Sequence, residues 1–127
     1  MEYRKAIKAD TAIQRIKTKL EAGTATHREL GRLASIAGKL AGECMADQLH
    51  EEFPNGQVSE EDVRRIISPI MKQNYSFVVE MSALLQNKRY EQAGVGLKAA
   101  LPDYNKSRED ELVKEISRRS FDNGFFG

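Results

Sequence analysis

Apolar residues recur at three- and four-residue steps through most of this chain, the spacing that lines one face of a helix. Ile13, Ile16 and Leu20 predict a first helix from about 4 to 22, ended by Gly23 where a left-handed residue suits a helix C-terminus. Thr26-His27-Arg28-Glu29 reads as a capping box. The stripe Leu30, Leu33, Ala37, Leu40 and Cys44 extends the second helix from about 27 to 52, up to the turn Pro54-Asn55-Gly56. A third helix starts at Ser59, with Val58 and Val63 placed as a hydrophobic staple and Asp62 near the positive end of the helix dipole. Its stripe passes through Ile67, Ile70, Asn74, Phe77, Met81 and Leu84 and keeps its phase across Pro69. An interior proline costs about 3 kcal/mol, so the sequence predicts a kink near 65 to 69, or a break with Ser68 as a new N-cap. A last helix from about Ser107 to Arg119 turns Leu112, Val113 and Ile116 inward, with Asp110 at its third position. The expectation is an all-α bundle of about four to five helices with its core on Ile13, Ile16, Leu33, Leu40, Ile67, Ile70, Phe77, Met81, Leu84 and Ile116.

Between the third and last helices lies QAGVGLKAALPDYN, residues 92 to 105, whose GVGLK invites a phosphate-binding reading. A P-loop needs four residues between its first glycine and GK[ST]; here Lys98 follows Gly96 after one residue and precedes Ala99. A dinucleotide fingerprint needs a third glycine where Ala99 stands, and a strand upstream. Gly94 and Gly96 therefore read as helix-end residues with positive φ, and Pro102 as the start of an extended turn. Leu97 and Leu101 either anchor this connector to the core or, with Val95, form an apolar partner-binding surface.

Composition narrows the function classes. At 127 residues, 40% hydrophobic and 31% charged, the chain is sized for a single helical domain over 1–127. Its longest apolar runs, such as Phe77-Val78-Val79, are far short of the roughly 20 residues that span a bilayer, and charges break the N-terminus where a signal peptide needs an apolar region. Net charge is +1, but residues 43 to 62 carry seven acidic groups and no Lys or Arg, while 4 to 19 carry six basic groups against Asp10. These are either two solvated faces or a docking pair, within the chain or between subunits. His27 and His50 lie about 34 Å apart on one helix at 1.5 Å per residue, without a second ligand at metal spacing. Cys44 continues the Leu40 stripe and reads as a small buried hydrophobe. The carboxylates at Glu51-Glu52 and Glu60-Glu61-Asp62 read as helix-end charges. No catalytic residue, metal site or cofactor is expected.

Two features of the stripes stand apart. Gly31, Ser35, Gly38 and Gly42 put small residues along the second helix beside its leucines, and each interior Gly costs about 1 kcal/mol of propensity relative to Ala. Helix packing within the chain, or self-association, would offset that cost. Asn74 is either a hydrogen-bonded specificity element or a stripe-edge residue in water.

Gln73-Asn74-Tyr75, the turn Ala93-Gly94-Val95-Gly96-Leu97-Lys98, Pro102, and Asn105 with Arg108 together resemble the N-terminal region of minor head proteins from bacteriophages and prophages of Gram-positive hosts, relatives of the Mu-type head morphogenesis proteins. YRKAIKAD near the N-terminus and the pattern from Thr26 to Ala41 are similar too, so the resemblance covers most of the chain. It carries no catalytic residue. Members of that family usually continue into a larger C-terminal domain, which makes the chain either their N-terminal domain or a short protein of its own. The resemblance implies a virion structural protein, a minor head component acting in head assembly near the portal, with phage portal or capsid protein as partner. It would occupy the virion and, during assembly, the host cytoplasm. The alternative is a small helical nucleic-acid-binding or regulatory protein; the basic pairs Arg64-Arg65, Lys88-Arg89 and Arg118-Arg119 could meet phosphates but lack interleaved aromatics.

Overall fold

A computed structural model describes residues 2–96 and 98–119. It has five helices: α1 (Tyr3–Ala9), α2 (Thr11–Ala22), α3 (His27–Glu52), α4 (Glu60–Gln92) and α5 (Lys106–Arg119), with no strand among the described residues. The all-α bundle expected from periodicity is what forms.

The first predicted helix is two. Asp10 ends α1 in extended backbone (φ −78°, ψ 115°), and its carboxylate accepts from the Ile13 N–H at 2.9 Å, so it caps α2. The break turns α1 back toward the bundle, where Tyr3, Ala6 and Ile7 are buried. α2 closes in a Schellman motif at Gly23 (φ 76°): the Gly23 N–H reaches Leu20 O and the Thr24 N–H reaches Lys19 O. The Thr26–Glu29 capping box then starts α3 with both reciprocal bonds present.

α3 buries Leu33, Ala37, Ala41, Cys44, Met45 and Leu49. This face drifts around the helix, because 100° steps carry a strict three-four pattern off a fixed neighbour. Leu40 accordingly ends only partly buried, as do Phe77 and Leu84. After the turn closed by the Gly56 N–H on Phe53 O, Ser59 caps α4 by accepting from the Asp62 N–H at 3.2 Å. α4 runs unbroken to Gln92 with Pro69 exposed inside it, and Ser68 is not a cap; its hydroxyl is bonded elsewhere. Val63, Ile66, Ile67, Ile70, Met81 and Leu85 of α4 complete the core with α2 and α3.

Asn74 lies mid-α4 and accepts from the Tyr3 hydroxyl at 2.7 Å, which fixes α1 against α4. At the far end, the Gln92 side-chain amide donates to Gly23 O at 3.0 Å, tying the ends of α2 and α4 together. No helix among the described residues is long and apolar enough to cross a membrane.

Candidate interaction surface

The connector between α4 and α5 is built from local chemistry. Gly94 takes φ 73°; its N–H bonds to Glu91 O and the Val95 N–H bonds to Tyr90 O at 2.8 Å. That pair is a second Schellman motif, and it accounts for the first glycine of GVG as a helix terminator. Gly96 does not share the left-handed backbone, so only one of the two glycines is needed for it. Further along, the Ala99 N–H donates to the Asn87 side chain at 2.9 Å and pins the connector to α4. Asn105 then caps α5 by accepting from the Arg108 N–H at 3.1 Å. With the helix beginning at Lys106, Asp110 sits two residues beyond the third position expected for it.

On this pinned path, Val95 is 41% exposed and Leu101 60% exposed, so neither anchors the connector to the core. Leu97 lies outside the described residues. Beside the α5 end of the connector, a shallow groove of about 330 Å³ is lined by Met71, Tyr75, Val78, Val79 and Tyr104 together with Ala34 of α3.

Below that groove lies the most concentrated polar chemistry of the molecule. Glu109 is fully buried, and its carboxylate accepts from Arg64 (2.6 Å), Ser68 Oγ (2.7 Å), the Tyr104 hydroxyl (2.8 Å) and Lys106 Nζ. Arg64 also donates to Asp110 at 2.8 Å. Burial alone would raise the Glu109 pKa; the bonds from Lys106, Ser68 and Tyr104 outweigh it and bring the carboxyl down to about 2. The Tyr104 phenol is pushed the other way, above its ordinary value, by burial and by bonding to that carboxylate. Its ring meets Tyr75 edge-on at 5.4 Å, with Lys72 Nζ 6.0 Å from its centroid. A carboxylate with this many donors is satisfied, ionised and held rigid, so its chemistry is that of a clamp fastening α5 and the connector to α4.

The small residues of α3 do not pack against another helix of the chain. Gly31, Ser35 and Gly38 are exposed and Gly42 is half-buried, and a Cβ added at any of the three glycines would meet nothing within 4 Å. The reason is the drift of the buried face, which leaves this strip on the outside of the bundle. Of the other residues weighed from the sequence, Cys44 is fully buried, with burial pushing its thiol pKa up. His27 and His50 are both exposed, near opposite ends of α3. Arg65 is held by Glu52 (2.8 Å) and Asp62 (3.5 Å). Among the described residues, no group of three or more His, Cys, Asp or Glu side chains could hold a metal ion.

Glu109 escaped the sequence reading. Its partners Arg64 and Ser68 stand 45 and 41 residues away, and a Glu followed by Asp110 and Glu111 at the start of a helix looks like an ordinary dipole charge.

The chain gives no match to protein-family models, to curated proteins or to solved structures.

Proposed function

We propose that the chain is a non-enzymatic assembly module of a phage or prophage head, a minor head component that works near the portal by protein–protein contact. Its partner would be the portal or capsid protein, met first in the host cytoplasm and kept in the virion. The observation that carries an assembly role is the exposure of Val95 and Leu101 on a connector pinned by the Gly94 motif, Asn87 and Asn105. Two large apolar side chains fixed in water without covering the core suit a surface that another protein buries, because a pinned loop loses little entropy on docking. A second apolar feature, the groove lined by Met71, Tyr75, Val78 and the connector's own Tyr104, offers further area for such a contact. The phage assignment rests on the resemblance carried by Gln73-Asn74-Tyr75, the Ala93 to Lys98 turn, Pro102, Asn105 and Arg108.

Co-expression with the portal and capsid proteins of the parent phage tests this. Val95→Asp and Leu101→Asp should each keep the helical circular dichroism of the parent and lose co-assembly. Retention of co-assembly by both variants would place the partner surface elsewhere. Tight DNA binding that weakens steeply with salt would favour the nucleic-acid alternative.

A further inference from the structure

We propose that the groove beside α5 holds an extended peptide segment of the partner protein, one that carries an aromatic or aliphatic side chain next to an aspartate or glutamate. This rests on the protein-contact part of the proposed function and not on its phage assignment. The walls of the groove are apolar: Met71, Val78, Val79 and Ala34, with the Tyr75 and Tyr104 rings edge-on at 5.4 Å. At about 330 Å³ it has room for a ring and its neighbour, since a single benzene fills a cavity of about 150 Å³. A further aromatic side chain packs on such a pair of rings in the same edge-on or offset manner.

The polar groups of the groove select what stands beside that side chain. Asn74, Asn105 and Arg108 complete the lining, with no Asp or Glu among the described residues. Each Asn has its side-chain oxygen already taken, by the Tyr3 hydroxyl at 2.7 Å and by the Arg108 backbone N–H at 3.1 Å, while the Tyr104 hydroxyl donates to Glu109. What remains on both Asn side chains is the amide nitrogen, without a partner among the described residues. No buried side-chain nitrogen or oxygen among them goes unpaired, so the nitrogen of the half-buried Asn74 is open to water. The Arg108 guanidinium meets only Glu111, at 3.8 Å, with both side chains largely in water. The groove therefore presents donors and one cation, and its guest must bring acceptors and a negative charge. A single-headed amphiphile gathers its acceptors at one end and would leave donors unanswered, because Asn74 stands in mid-α4 and Asn105 and Arg108 at the start of α5. A peptide answers all three: its acidic side chain meets Arg108, and its main-chain carbonyls accept from Asn74 and Asn105.

Two-dimensional NMR of the full chain tests this, titrated with acetyl-Gly-Phe-Glu-Gly-amide and with the reversed order, acetyl-Gly-Glu-Phe-Gly-amide. One order should saturate with a Kd of about 1 mM or tighter, moving the signals of Met71, Tyr75, Val78 and Val79. Replacing Glu by Gln in that peptide should weaken binding by about fivefold or more. Arg108→Gln should weaken the Glu peptide by a similar factor and leave the Gln peptide unchanged. Asn105→Asp keeps the cap of α5, because Asp caps as well as Asn, but it removes the donor and adds a like charge, and should weaken the Glu peptide by about tenfold. The proposal is overturned if neither order binds, if the Gln peptide binds as tightly, or if Arg108→Gln changes nothing. Saturation by dodecanoate with no response to either peptide would assign the groove to a lipid, and groove signals that move with chain concentration alone would assign it to a second copy; both overturn it. Co-assembly with portal or capsid protein reads the other proposal separately: co-assembly without peptide binding removes only this one, and peptide binding without co-assembly removes only that.

Discussion

At the scale of single residues, Glu109 and Tyr3 show how polar groups orient an apolar bundle. Glu109 is ionised inside the structure because Arg64, Ser68, Tyr104 and Lys106 converge on it. Glu109→Gln keeps the shape but removes the charge, and should destabilise by roughly 2 kcal/mol, less than a fully buried pair because Arg64 and Lys106 can rehydrate. The pH dependence has a definite sign. A carboxyl lowered from 4.5 to about 2 on folding stabilises fully above 4.5, and that contribution is lost as pH falls toward 2. Urea unfolding between pH 6 and 2 should therefore show a decline that Glu109→Gln flattens. Tyr3→Phe leaves Asn74 without its donor and should cost about 1 kcal/mol, read as a lower thermal midpoint. Asn74 was visible in the sequence as a polar interruption of a stripe. Tyr3 was not visible as its partner, since 71 residues separate them.

At the scale of elements, what could be read from sequence is what local chemistry decides. Thr26 with Glu29, Ser59, Gly23 and Gly94 each satisfy backbone groups within a few residues, so the sequence placed those helix ends correctly. The Asp10 break was missed because Ile13 and Ile16 continue a plausible stripe, and an aspartate among lysines looks like surface charge rather than a cap. The outward turn of the α3 glycines was missed because it depends on which neighbours the drifting face meets. Glycine-to-alanine substitutions should consequently have opposite signs in two helices. Gly94→Ala forces a left-handed alanine at the end of α4 and should cost about 1 kcal/mol, although nothing blocks its Cβ. Gly38→Ala relieves a helix-interior glycine in open space and should stabilise the chain by up to about 1 kcal/mol. Denaturant midpoints of the two variants and the parent would compare them directly.

At the scale of the molecule, α1 to α4 share a core and α5 joins it through Val113 and Ile116 together with the Glu109 clamp. The connector was legible as a glycine-terminated turn, while its exposed apolar side chains were not, because whether Leu101 covers the core depends on where α5 returns. That return has a kinetic consequence. α5 brings only Val113 and Ile116 into the buried apolar core, fewer than α2, α3 or α4, and its docking also requires the connector to be ordered. In the folding transition state α5 should still be undocked while α2, α3 and α4 are already condensing. Stopped-flow measurements on Glu109→Gln should then move only the unfolding limb of the chevron, accelerating unfolding and leaving the folding rate within about twofold of the parent. The buried carboxylate would thus set how long the native state persists and have little say in how fast it is reached.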